Sequence, residues 1–285
     1  MQNKSIQAIL FKYSNMLSSC SLSPRLDVEL LLSFILKKTK LYLYTCPEKK
    51  ITDIQYQRFL RVFHRRKKGY PMAYILGVKN FWSLSLHVNH STLIPRPETE
   101  TLVEAILLYS SNKKSALNVL DLGTGSGAIA LSLAVERPLW KITAVDVSRE
   151  SLKVAQKNKI STRIKNVDFL QSDWFQTLDG KKFDIIVANP PYVSKNDPFI
   201  SAEVVCFEPN YAIFSEHNGL KDIIHIIDHA RFYLENNGLI MLEHGCTQSL
   251  EVYSLFRRFS CYRSITQYYD LLGFKRATSA LICKT

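Results

Sequence analysis

Asn118-Val119-Leu120-Asp121-Leu122-Gly123-Thr124-Gly125-Ser126-Gly127 is an apolar run that ends in a glycine-rich loop. It reads as a buried strand, a tight turn and the start of a helix. Gly123, Gly125 and Gly127 let the backbone turn sharply and let a ligand come close to it. The spacing is G-x-G-x-G, not the G-x-G-x-x-G of a dinucleotide fold, and no Lys-Ser/Thr pair follows as in a P-loop. Both facts argue against NAD and ATP. Nucleotide enzymes of several classes share such a loop, so its neighbours must decide.

From about residue 117 onward, strand and helix patterns alternate. Strands are expected near 118–122, 141–146, 166–171, 183–188 and 238–243, and helices near 127–136, 149–158, 219–235 and 247–258. The tail, 262–285, holds two more candidate strands around Leu271-Leu272-Gly273 with no helix between them. This predicts an α/β fold: a seven-stranded, mostly parallel sheet with an antiparallel hairpin at one edge. Open sheets of this kind bind ligands at the carboxyl ends of their strands.

Those ends carry chemistry. Asp146 closes the second strand, nineteen positions after Gly127, where an acid can accept both ribose hydroxyls of an adenosine ligand. A helix-capping aspartate is the other reading, although Ser148 is better placed to cap. Asp173-Trp174 follows the third strand. Asp173 suits an adenine amino group and Trp174 suits the ring above it; a surface Trp beside a turn is the alternative.

After the fourth strand, Phe183 to Ala188, comes Asn189-Pro190-Pro191-Tyr192. A Pro-Pro pair must end a central strand. The Asn189 side-chain oxygen and the Pro190 carbonyl are two acceptors close together, and the prolines stiffen the backbone without adding donors. Tyr192 adds a ring to stack on a flat group. Such a site holds an –NH2 group by its hydrogens and leaves the nitrogen face open to an electrophile. Taken in order along the strands, these elements describe an S-adenosylmethionine site beside an acceptor for a planar amine. That is the signature of Rossmann-like class I methyltransferases acting on exocyclic or amide nitrogen.

The first third of the chain is different. Apolar groups at Ile6, Ile9, Leu10, Tyr13 and Leu17 repeat at a helical period over residues 4–18. Ser23-Pro24 is expected to cap and open a second helix to about Leu36, and Leu41 to Thr45 forms a short third. A fourth runs from Thr52 to about Lys68, with Ile54, Phe59, Val62 and Phe63 expected inward. It ends in His64-Arg65-Arg66-Lys67-Lys68, a run that suits the helix dipole and reads either as a solvated turn or as a contact for an acidic partner. Residues 78–94 look like a β-hairpin connector, and Pro95 to Glu100 a stiff turn into a helix at about Thr99–Tyr109. The expected organisation is a helical domain over 1–76, a connector over 77–97 and a catalytic domain over 98–285.

Net charge is +12, and residues 1–100 hold 16 Lys/Arg against 6 Asp/Glu, a surplus of +10. A basic module beside a near-neutral one suits an acidic partner or simply a solvated surface. The six cysteines are scattered without a Cys-x-x-Cys pair, which argues against structural zinc and against a disulfide framework; no metal is expected. Neither a membrane-spanning stretch nor a signal-peptide hydrophobic segment appears, and the absence of an Arg/Ser-rich leader favours a bacterial chain; cytoplasmic residence is expected.

Several segments together make a closer likeness. They are Pro71 to Gly77, Phe81-Trp82, Leu93-Ile94-Pro95-Arg96-Pro97-Glu98-Thr99-Glu100, Asp121 to Gly127, Ser172-Asp173-Trp174-Phe175, Asn189 to Tyr192, Phe207-Glu208-Pro209, and Leu242-Glu243-His244-Gly245 with Gln248. In these the chain resembles the HemK/PrmC family of release factor glutamine methyltransferases from end to end. Only Asn80 and Ser83 stand where an acidic residue and a glycine are expected. The resemblance implies methylation of the side-chain amide nitrogen (N5) of the glutamine in the Gly-Gly-Gln motif of class 1 peptide chain release factors. It implies that Gly123, Thr124, Gly125, Ser126, Gly127, Asp146, Trp174 and Asn189 bind S-adenosyl-L-methionine, joined by Asp173 from the reading above. It implies that Asn189, Pro190, Pro191 and Tyr192 hold the substrate glutamine, with Asn189, Pro190 and Tyr192 acting on the amide, and that the helical domain helps grip the release factor. A monomer that needs no nucleic acid and no membrane is expected. Arg96 and Glu98 read equally as cofactor-side residues and as parts of a structural turn.

Two rivals remain. A nucleic-acid amino-methyltransferase acting on adenine or guanine would share the tetrad, but no separate base-reading domain is visible. A degenerate, non-catalytic fold is disfavoured by the intact cofactor and acceptor residues.

Overall fold

The computed structural model describes residues 4–110 and 116–283. Met1 to Asn3, part of the terminus expected to lack a signal segment, and the last two residues of the tail lie outside the described residues. The chain divides after Gly77 into two compact units.

The first unit is helical: α1 (Ile6–Leu17), α2 (Pro24–Leu36), α3 (Lys40–Thr45), α4 (Asp53–Lys67) and α5 (Met72–Leu76). Ser5 caps α1 by accepting from the Ala8 N–H, and Thr52 with Gln55 forms a capping box at α4. Ser23 precedes α2 as expected but makes no side-chain cap bond. Tyr13 packs edge-on against Phe59 and Phe63, with ring centroids 5.0 and 4.6 Å apart. Tyr56, Phe59 and Phe63 form the inward stripe of α4, one helical turn apart. Ile54 falls outside that stripe and is 67% exposed, against expectation. The basic run is also less solvated than expected: Arg66 is buried and donates from Nε to Asp27 Oδ2 at 2.7 Å, and Arg65 lies over the Tyr70 ring.

The second unit opens with the antiparallel pair β1 (Val78–Phe81) and β2 (Leu84–His87), followed by α6 (Glu100–Tyr109). Then come β3 (Asn118–Leu122), α7 (Ala128–Glu136), β4 (Lys141–Asp146), α8 (Arg149–Thr162), β5 (Val167–Gln171) and β6 (Phe183–Ala188). The last part holds α9 (Ala202–Phe207), the single distorted turn α10 (Glu216–Gly219), α11 (Lys221–Tyr233), β7 (Leu234–Glu243), α12 (Ser249–Arg257), β8 (Tyr262–Tyr269) and β9 (Lys275–Ile282). The seven-stranded sheet has the order β5-β4-β3-β6-β7-β9-β8. Strands β3 to β7 pair in parallel, and β9 runs antiparallel between β7 and the edge strand β8.

The chain builds outward from β3 to β5 on one side and from β6 on the other. The order therefore reverses between β3 and β6, which opens a crevice at their carboxyl ends. Leu122 and Ala188 are paired neighbours there, so the glycine loop and Asn189 emerge side by side.

The hairpin is more than a connector. Phe81 and Leu86 belong to the main core, and Trp82 donates from its backbone N–H to Glu100 and from Nε1 to Glu136. Asn158 of α8 exchanges hydrogen bonds with the His87 backbone and donates to the Ser126 carbonyl, tying β2 to the glycine loop.

Candidate active site

The glycine loop is held by its neighbours. The Gly123 and Thr124 N–H groups both donate to the Val145 carbonyl of β4 at 2.9 Å. The Thr124 hydroxyl donates to Asp121 Oδ2 at 2.6 Å, and the Ala130 N–H reaches the same oxygen at 3.2 Å. Burial pushes the Asp121 carboxyl up to about 7, against the pull of those two donors.

Asp146 stands opposite. Its Oδ2 accepts from the Gly125 N–H and its Oδ1 from the Ser148 N–H, each at 2.8 Å. Burial raises its pKa and the two backbone donors oppose the rise. Each oxygen has one protein donor, so each keeps a lone pair for a further hydroxyl. Ser148, as expected, is the residue that caps α8, accepting from the Ser151 N–H.

Trp174 has a φ of +46°, which a bulky residue rarely adopts. That backbone places the indole against Gly123, where a Cβ would lie 3.5 Å from the ring. Gly123 is thus kept bare under an aromatic cover. At Gly125 a Cβ would meet nothing within 4 Å, and the φ of +57° is a conformation that favours glycine.

A cavity of about 310 Å³ gathers Gly123, Gly125, Asp146, Asp173, Trp174 and Asn189 on its walls. Three of the cofactor candidates are not among its lining: Thr124 turns its hydroxyl to Asp121, the Ser126 carbonyl is taken by Asn158, and Gly127 packs against Leu131 and Phe169. They shape the loop from behind. A second, smaller cavity of about 110 Å³ is lined by Asn189, Pro190 and Tyr192 with Arg96, Ile200 and Val204. Asn189 borders both.

The orientation of Asn189 is set by its amide. Nδ2 donates to the Thr99 hydroxyl at 3.0 Å, so Oδ1 points the other way. Among the described residues no protein donor takes Asn189 Oδ1 or the Pro190 carbonyl. The Tyr192 hydroxyl donates to Glu243 Oε1 at 2.9 Å, and its carbonyl accepts from Gln248 Nε2 at 3.0 Å. Tyr192 is therefore held at its ring hydroxyl and at its backbone carbonyl.

Glu243 ends β7 and is buried, which pushes its carboxyl up to about 7; Thr99, Tyr192 and Arg276 act in the opposite direction. Arg96 pairs with buried Glu208, whose other oxygen accepts from the Ile94 N–H at 2.9 Å. That places Arg96 in a loop-holding role on the wall of the smaller cavity. Thr99, Glu208 and Glu243 carry no role in the sequence reading. The detectable signal was a charged residue closing an apolar strand, Ile240-Met241-Leu242-Glu243.

Residues 9–77 match the PrmC N-terminal domain model, and residues 100–207 match the methyltransferase small domain model. A release factor glutamine methyltransferase of Salmonella typhimurium is 45% identical over 256 residues, covering 90% of this chain and 91% of that one. The chain belongs to the release factor glutamine methyltransferase family. Another member, from Aliivibrio fischeri, is 42% identical and matches 96% of this chain and 94% of its own. A methyltransferase structure from Pyrococcus furiosus aligns at a TM-score of 0.53 with 16% identity, covering 80% of this chain and 99% of that one, and supports the fold alone. Of the segments named from the sequence, Gly123 and Gly125 of the glycine loop, Asp173-Trp174, Asn189 to Tyr192 and Arg96 reach the walls of the two cavities. Among the described residues no helix is long and apolar enough to cross a membrane, and no cluster of three His, Cys, Asp or Glu is arranged to hold a metal ion.

Proposed function

We propose that this chain methylates the side-chain amide nitrogen of the glutamine in the Gly-Gly-Gln motif of class 1 peptide chain release factors, using S-adenosylmethionine. The observation that carries the reading is the place of Asn189. It borders both cavities, and its amide hydrogens are committed to Thr99, which leaves an oxygen to face an incoming –NH2.

The larger cavity fits an adenosine sulfonium. Gly123 and Gly125 leave their backbone bare, Trp174 supplies an aromatic cover, and Asp146 offers one free lone pair per oxygen to vicinal hydroxyls. When bound, S-adenosylmethionine supplies a methyl group already activated by positive sulfur. The residues of the chain then have mainly to position the acceptor, and aligned encounter is worth about 7–11 kcal/mol of barrier.

An amide nitrogen is a poor nucleophile because its lone pair is delocalised. Asn189 Oδ1 and the Pro190 carbonyl accept its two hydrogens and favour positive charge as it develops on nitrogen. The Tyr192 ring sets the amide plane, and Pro191 keeps the strand end rigid. No general base is assigned: the methylated nitrogen becomes acidic and loses its proton afterwards. The helical unit, residues 1–76 in this reading, grips the release factor. The enzyme is taken to act as a monomer in the cytoplasm without nucleic acid.

The test is transfer of labelled methyl to a purified release factor, with mass spectrometry of the Gly-Gly-Gln peptide. A mass increase of one methyl on that glutamine is expected. Label that appears instead on DNA or RNA overturns the reading in favour of a nucleic-acid amino-methyltransferase.

A further inference from the structure

We propose that Tyr211 is the latch of the cofactor cavity: its hydroxyl ties a strap across the cavity, and the tie must open before S-adenosylmethionine enters or leaves. The inference rests on the cofactor reading above and concerns a residue to which that reading gives no task.

The strap is the stretch from Glu208 to Phe214, between α9 and α10. Both of its ends are tied to the acceptor side of the crevice. At the start, buried Glu208 pairs with Arg96 and accepts from the Ile94 N–H at 2.9 Å. At the far end, the Val193 N–H donates to the Ile213 carbonyl and the Ser215 N–H donates to the Val193 carbonyl, each at 3.0 Å. Between these anchors the backbone makes one tight turn, Asn210–Ala212, closed by the Ala212 N–H on the Pro209 carbonyl and the Phe214 N–H on the Asn210 carbonyl. Tyr211, Ala212 and Phe214 lie on the wall of the larger cavity, which also carries Asp146 and Ser151.

Tyr211 reaches from this strap to the ribose side. Its hydroxyl donates to the Ser91 carbonyl at 2.7 Å and stands 3.0 Å from the Oγ of Ser151, in the first turn of α8. Ser151 Oγ donates to the same carbonyl at 2.7 Å. The three oxygens form a closed triangle, in which two hydroxyls with one proton each meet a carbonyl with two lone pairs. Ser151 is buried, whereas Tyr211 lines the cavity and is still 47% exposed. Tyr211 therefore stands between the cavity and solvent. Every atom of the triangle belongs to the protein, so the latch opposes entry and exit alike. A hydroxyl that gripped the cofactor itself would slow exit alone.

The test is stopped-flow binding of S-adenosylmethionine to wild type and to Tyr211→Phe, which keeps the ring and loses the hydroxyl. Trp174, on the cavity wall, is the fluorescent reporter. Without the latch, kon and koff should rise together by about threefold to tenfold, the scale of one net hydrogen bond, and Kd should stay within about twofold. Ser151→Ala removes one corner of the triangle but leaves Tyr211 on Ser91, so both rates should rise less. Added to Tyr211→Phe, it should change nothing further. Rates in Tyr211→Phe within about 1.5-fold of wild type overturn the latch. A koff that rises while kon stays also overturns it, and makes the hydroxyl a contact to the cofactor. One arm needs no cofactor. Amide hydrogen exchange over residues 210–214 should quicken by about threefold or more in Tyr211→Phe, and unchanged exchange overturns the latch. If exchange quickens while wild type binds no S-adenosylmethionine, the latch stands and the cofactor reading is what fails.

Discussion

Gly219 lies so close to Tyr192 that a Cβ on it would sit 2.0 Å from the Tyr192 carbonyl oxygen. Its φ is +86°, and the two preceding residues, His217 and Asn218, are also left-handed at +53° and +56°. The turn is bent tightly beneath the strand end, and Gln248 Nε2 bridges it by donating to both the Tyr192 and Asn218 carbonyls. Gly219→Ala meets two obstacles at once: a left-handed conformation that costs an L-residue about 1–2 kcal/mol, and a backbone clash that only movement relieves. The expected outcome is a lower melting temperature by several degrees, about 2–4 °C per kcal/mol for a chain of this size. Methyl transfer should fall as well, because the atom that must move belongs to the tetrad. Calorimetry and a steady-state assay check both. A variant that is less stable but fully active would show that the tetrad tolerates the shift.

Asn189→Ala removes the acceptor oxygen and the bond to Thr99, but it leaves β6 and the glycine loop in place. The fold should survive, and cofactor affinity should fall far less than turnover. Turnover should fall by about 10²–10³, the scale seen when one preorganised polar group is taken from a transition state. A thermal-shift titration with S-adenosylmethionine beside a single-turnover assay separates the two effects. Turnover close to wild type would remove Asn189 from the chemistry.

Much of this was legible in the sequence where strong punctuation closes an apolar run. β3, β4 and β6 end at Gly123, at Asp146 and at Asn189-Pro190-Pro191, and their limits were readable to the residue. β7 was read from 238 but starts at Leu234, because Glu235-Asn236-Asn237 carry no strand pattern and fall where the register with β6 skips from Leu234 to Leu239. α9 went unseen since none of its side chains is buried, so no apolar period marks it. Ile54 was assigned inward on helical period alone, where the neighbouring stripe of Tyr56, Phe59 and Phe63 already filled the face. In the site, residues next to the motifs were visible. Thr99 and Glu243 were not, since 90 positions separate Thr99 from Asn189 and 51 separate Glu243 from Tyr192, and each meets its partner only in the folded chain.

Asp146→Asn tests the ribose-side acid. Asparagine keeps the size but replaces one acceptor oxygen with a donor, which must then face either the Gly125 or the Ser148 N–H. The loop loses an anchor and the ligand loses an acceptor. Cofactor affinity should drop about tenfold or more, equivalent to about 1.4 kcal/mol per factor of ten. Isothermal calorimetry with S-adenosylmethionine reads this directly. Unchanged affinity would leave Asp146 as a loop anchor alone.

Asp121 gives the fold a pH signature of unusual sign. Its folded pKa is raised from 3.8 to about 7 by burial, so between those values the folded state holds a proton that the unfolded chain has released. Stability contributed at this position is full below about pH 4 and is lost as pH rises to about 7. Glu243, also raised to about 7, adds a second decline of the same direction from its own starting value of 4.5. Asp121→Asn cannot ionise, and its amide oxygen can still accept from the Thr124 hydroxyl and the Ala130 N–H. The variant should therefore lose the Asp121 share of the slope and gain on wild type steadily from pH 4 to pH 7, with the difference constant above. Urea unfolding of both proteins at half-unit pH steps measures it. Parallel curves across that window would mean that Asp121 is already ionised in the fold, with Thr124 and Ala130 outweighing burial.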